Sequence, residues 1–147
     1  MLKRLRADER GVSVVELGLI APVLALFIAG MIDLSQGLAQ RFAMQQAVNR
    51  SLELLMANPP EAAADEDDVD YTFVTEEAAA AADVPTTAVT LVRWLQCDGV
   101  EAASYDETCD PGQDTARYIS LSVEKEFNGA FFIDSMTMTA TGVVRIQ

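Results

Sequence analysis

The residues equipped for chemistry in this chain are few. Cys97 and Cys109 are the only cysteines, and there is no histidine. Without an imidazole there is no Ser-His or Cys-His dyad. No Gly-rich phosphate loop follows a candidate strand. The sequence therefore implies no enzyme and no cofactor. Asp65, Glu66, Asp67, Asp68 and Asp70 crowd carboxylates together. Their spacing lacks the Gly turn and closing Glu of an EF-hand loop, so a solvated loop is expected rather than calcium. Two thiols without histidine are too few for a metal site. Eleven residues separate Cys97 from Cys109, and in an oxidising compartment they should form a disulfide. Closing such a loop contributes ~3 kcal/mol in the chain-entropy model. The remaining reactive oddity is Glu16, set in an apolar run. It either lies at the headgroup boundary or needs a cationic partner, because an ionised carboxylate in hydrocarbon is costly.

The apolar run that holds Glu16 is the strongest local signal. Leu17 to Ile32 contains no charged residue, and from Val12 onward Ser13 and Glu16 are the polar interruptions. About 20 such residues span the hydrocarbon core of a bilayer. Lys3, Arg4, Arg6 and Arg10 precede the run, whereas residues 33–147 hold 6 basic and 20 acidic side chains. That asymmetry predicts a cytoplasmic N-terminus with the bulk of the chain outside. A removable signal peptide is the competing reading, but Met31 to Leu34 makes a poor cleavage site. Pro22 should bend or loosen the helix, which membranes tolerate. The overall charge of -13 argues against nucleic acid as a partner.

Beyond the bilayer, Leu34, Leu38, Phe42, Gln45, Val48, Leu52, Leu55 and Met56 recur at helical steps. The helix is expected to run to Ala57 and stop at Asn58-Pro59-Pro60. Its outer half should pack on the protein's own sheet, on other helices, or on both by different faces. Glu61 to Asp70 reads as an acidic linker. Thr75-Glu76-Glu77 reads as the start of a short Ala-rich helix. Three alternating segments follow, Thr87–Cys97, Tyr118–Phe127 and Met136–Ile146, and predict an antiparallel meander. The expected fold is α+β, a long N-terminal helix packed on a small three-stranded antiparallel sheet with one short extra helix.

The stretch Arg10-Gly11-Val12-Ser13-Val14-Val15-Glu16 resembles the processing site of type IV pilin-like precursors. There a short basic leader ends in Gly and Glu is the fifth residue after it. The wider segment, roughly residues 10–50, looks like the TadE-like family, minor pilins or pseudopilins of the tight-adherence (Flp) pilus system. Gly11, Glu16, Ala21-Pro22-Val23 and Gly30-Met31-Ile32-Asp33 carry the resemblance. Leu17 stands where an aromatic residue is common. The resemblance implies cutting between Gly11 and Val12 by a prepilin peptidase. The new α-amine would pair with Glu16 of a neighbouring subunit, offsetting the burial of both charges. It further implies companion minor and major pilins, an inner-membrane assembly platform and membrane lipid as partners. The expected organisation is a cleaved leader at 1–11, a transmembrane helix at 12–33, its periplasmic continuation at 34–58, an acidic linker at 59–74 and a periplasmic head at 75–147. The alternative is a single-pass, membrane-anchored periplasmic binding or adhesion module with no place in a filament.

Overall fold

A computed structural model describes residues 10–58 and 70–146. One helix, α1 (Arg10–Ala57), dominates the molecule at 48 residues. At 1.5 Å per residue it is about 72 Å long. Pro22 lies inside it without ending it. A second helix, α2 (Thr72–Ala82), leads through a 3-10 turn at Thr86–Ala88 into the strands β1 (Val89–Cys97), β2 (Val100–Glu101), β3 (Thr115–Phe127) and β4 (Met136–Arg145). All pairings are antiparallel, and the order across the sheet is β2-β1-β3-β4.

The sheet therefore has four strands and not three. The extra one pairs Gln96 with Glu101 and Cys97 with Val100. It exists because Asp98 (φ 50°) and Gly99 (φ 80°) form a left-handed two-residue corner, the backbone that suits a tight hairpin. Two residues are too few to display alternation. The helix expected from Thr75 begins at Thr72 instead. Its first free N–H, on Thr72, donates to the Asp70 carboxylate at 2.8 Å, so the acid before the helix supplies the cap. It ends on Asp83 in the left-handed conformation. The other acids of the proposed linker and calcium cluster, Glu61 to Asp68, lie outside the described residues.

One face of the three long strands packs on α1 and α2. Its core combines Met44, Val48, Leu52 and Leu55 with Val74 and Ala78, and with Ile119, Leu121, Val123 and Ala140. Gly142 sits where α1 comes closest to β4. A Cβ there would lie 2.7 Å from both Val48 and Leu52, so the missing side chain sets the helix–sheet distance. Buried Ser51 satisfies its hydroxyl on the Ala47 carbonyl at 2.9 Å. The strands run along α1 toward the membrane. Gln45 donates to the Thr141 carbonyl, Gln40 donates to the Glu126 carbonyl, and Phe127 and Met138 meet Gly37. The β3–β4 connection, residues 128–135, thus lies at the Asp33 end of the head.

Candidate functional site

From Val14 to Ile32 the side chains of α1 are exposed or half-buried, and the head covers none of this stretch. Leu17, Leu19, Val23 and Phe27 are among the large apolar groups left open. α1 is the one helix among the described residues long and apolar enough to cross a membrane. Apolar bulk facing outward all round a helix requires a non-aqueous surrounding. Glu16 projects from this stretch, exposed, and no ion-pair partner meets it among the described residues. Gly11 and Val12 fall in the first turn of α1. Residues 1–9, the rest of the basic leader, lie outside the described residues.

Past Ile32 the two sides of α1 diverge. The side turned to the head carries Asp33, Gly37, Met44, Ala47, Val48, Ser51, Leu52 and Leu55, all buried. At about 100° per residue, Leu38 and Phe42 turn well away from Asp33, and Leu34 lies at the flank, on the azimuth of Leu52 but beside no strand. Leu34, Leu38 and Phe42 remain 60%, 46% and 63% exposed. The single stripe expected from periodicity is thus two faces. Val48, Leu52 and Leu55 pack on the sheet, whereas Leu34, Leu38, Phe42 and Met56 do not. The physical reason is close approach. Near the membrane the docking face is built from Gly37 and polar groups, which a count of apolar bulk passes over. The open face is grooved, with one shallow recess among Met31, Leu34, Ser35, Leu38, Ala39 and Phe42.

Asp33 is the most constrained polar group of α1, at 1% exposure. Its Oδ1 accepts the N–H of Ala130 (2.6 Å) and Phe131 (3.1 Å). Its Oδ2 accepts those of Phe132 (2.7 Å) and Ile133 (3.2 Å), with a further contact from Phe131 (3.2 Å). Four successive backbone donors converge on one carboxylate, the geometry of an anion nest, in charge-assisted hydrogen bonds. With its acceptor capacity taken up, the carboxylate is a structural clamp and not an acid or base. Sequence reading noted Asp33 only as part of the Gly30–Asp33 motif and missed the clamp. The signal was there, since an acid at the end of an apolar run requires partners. The partners lie about a hundred residues away, beyond any spacing rule.

At the head's other end Cys97 and Cys109 form the expected disulfide, with Cα atoms 5.5 Å apart. The loop it closes carries Tyr105 against the Arg93 and Arg117 guanidinium groups, 4.8 and 5.4 Å from the ring centre. Arg93 also lies over Tyr71, at 5.3 Å. Its place on the core face of β1, which interrupts the apolar alternation, is explained by these aromatic partners. Among the described residues no group of three or more Cys, Asp or Glu is placed to hold a metal.

A bare apolar helix carrying a small α+β head is the architecture of a single-pass, membrane-anchored protein. Within that class, the family model described as TadE-like protein matches residues 11–51. The matched segment begins at Gly11, includes Glu16, Pro22 and Asp33, and ends at Ser51, inside the part of α1 that packs in the head's core. It agrees with the resemblance drawn from Gly11, Glu16, Pro22 and Gly30–Asp33 and points to a protein associated with the Tad pilus. No curated protein and no solved structure matches the chain.

Proposed function

We propose that this protein is a TadE-like minor pilin, or pseudopilin, that primes or assists assembly of a tight-adherence pilus. A prepilin peptidase cuts it between Gly11 and Val12. The new α-amine meets Glu16 of a neighbouring subunit, and companion pilins and the inner-membrane platform receive the helix. Until then the chain waits in the inner membrane, N-terminus in the cytoplasm and head in the periplasm.

The observation that carries this reading is the open face of α1. Leu34, Leu38 and Phe42 extend the exposed apolar surface beyond the membrane span while the head packs along the Asp33 side. An anchor alone needs no such extension. A helix that packs on other helices, both within the bilayer and above it, does need one. The exposed Glu16 is available for a partner's cation, and the disulfide suits a head in an oxidising compartment.

N-terminal sequencing of membrane-extracted protein tests the reading directly. Val12 as the first residue is expected. Gly11→Ala should leave the leader attached and stop assembly, and Glu16→Ala should allow cutting but lower pilus yield. An intact Met1 in a piliated cell would favour the anchored binding module instead.

A further inference from the structure

The β3–β4 connection, Asn128-Gly129-Ala130-Phe131-Phe132-Ile133-Asp134-Ser135, is the least water-compatible loop among the described residues. Phe131 is 60% exposed and Phe132 58% exposed. Ala130 is exposed beside them and Ile133 is half-buried. Exposed phenylalanines in adjacent positions leave an apolar patch with no role inside the fold. The loop is nevertheless held tightly. The Gly129 N–H donates to the Ile133 carbonyl at 2.9 Å, and a Cβ on Gly129 would stand 2.7 Å from that of Ile133 and 3.0 Å from Asp33 Oδ2. The clamp fixes the height of the loop as well. Its amides touch Asp33, the residue that directly follows the uncharged run ending at Ile32.

We propose that this loop is a membrane-interface anchor, with Phe131 and Phe132 inserted at the headgroup–acyl boundary of the leaflet from which α1 emerges. Two observations select lipid as the occupant. The backbone of both phenylalanines is bonded to Asp33, directly after the uncharged run whose last exposed apolar groups are Ile28, Met31 and Ile32. The amides of residues 130–133 are also already satisfied by one carboxylate. A backbone with no orphan donor can enter a water-poor layer, whereas an ordinary loop cannot. Apolar and aromatic side chains at that depth gain burial without crossing the bilayer. Asp33 is then a positioning residue. It holds the loop against the helix, and the loop sets the head's orientation on the membrane. This inference rests on the membrane reading of α1 and not on processing or filament assembly.

The test uses the full chain reconstituted in phosphatidylcholine nanodiscs at one copy per disc. Trp94 is the only tryptophan, so Trp94→Phe with Phe132→Trp gives a single reporter. Its emission should be blue-shifted, lose most of its intensity to lipid brominated near the glycerol, and resist aqueous iodide. Asp33→Asn in that background should restore iodide access as the loop comes away. A reporter that iodide quenches freely and brominated lipid does not overturns the proposal. So does protection that arises only when two copies share a disc, which would make a second chain the occupant. The unmodified protein supplies an independent reading. Phe131 and Phe132 ring protons should broaden with spin-labelled headgroups and not with an aqueous gadolinium chelate, and the reverse result overturns the proposal without any substitution. An N-terminus other than Val12 would sink the pilin assignment and leave this result intact.

Discussion

The two halves of α1 are one continuous helix with opposite rules of burial. Between Val14 and Ile32 its bulky apolar groups face outward and the fold covers none of them. Between Asp33 and Ala57 the face that is buried begins with an acid and a glycine, and becomes apolar only at Met44. Hydropathy is a guide to the solvent a surface meets, not to which surface meets the head. In the first half the solvent is hydrocarbon, and the exposed groups are the stabilising ones. In the second half the solvent is water on one side and the protein's own sheet on the other. There, small residues permit approach and one carboxylate holds the loop.

The comparison breaks first at the core. Leu55→Ala removes a side chain only 2% exposed and should cost the head ~2–5 kcal/mol, read by denaturant unfolding in micelles. Leu24→Ala in the other half should leave head unfolding unchanged. If both lowered head stability alike, the halves would not be energetically separate. Next comes the cross-link. Replacing Cys97 and Cys109 by Ser should cost the head ~3 kcal/mol and leave hydrogen exchange of residues 14–32 as it was.

A smaller effect on stability sharpens the division within the outer half. Phe42→Ser alters an exposed position and should shift head stability by no more than about 0.5 kcal/mol. If the open face packs on other pilins, pilus yield should fall all the same. The smallest effect belongs to Asp70, before α2. The Thr72 hydroxyl, and then its N–H, hold the Asp70 carboxyl below its ordinary value. The contribution to α2 is therefore present above the ordinary carboxylate value and is lost as pH falls through the lowered one. Protection factors of the amides at the start of α2, taken against the intrinsic exchange rate at each pH, should fall on acidification in the wild type. Asp70→Asn should remove that dependence.

Much of this was legible because it depends on near neighbours in the chain. The uncharged run from Leu17 to Ile32 after a basic cluster points to a membrane anchor whatever follows. Alternation in residues 118–127 placed Ile119, Leu121 and Val123 on the face that is in fact buried. Less visible were features with no periodic signature. The two-residue β2 depends on a left-handed corner, and the start of α2 depends on an Asp outside the helix. The choice of docking face depends on Gly37 and Asp33, which an apolar count scores as gaps.

The sequence by itself determined the long apolar helix, the pairing of its two cysteines, the α+β order of elements and the segment that matches TadE-like proteins. These follow from local chemistry, composition and spacing. Only the tertiary structure decided which side of α1 the head occupies and where the β3–β4 loop is held. Both turn on donors and acceptors about a hundred positions apart, which meet only when the strands fold back along the helix and bring four amides to Asp33.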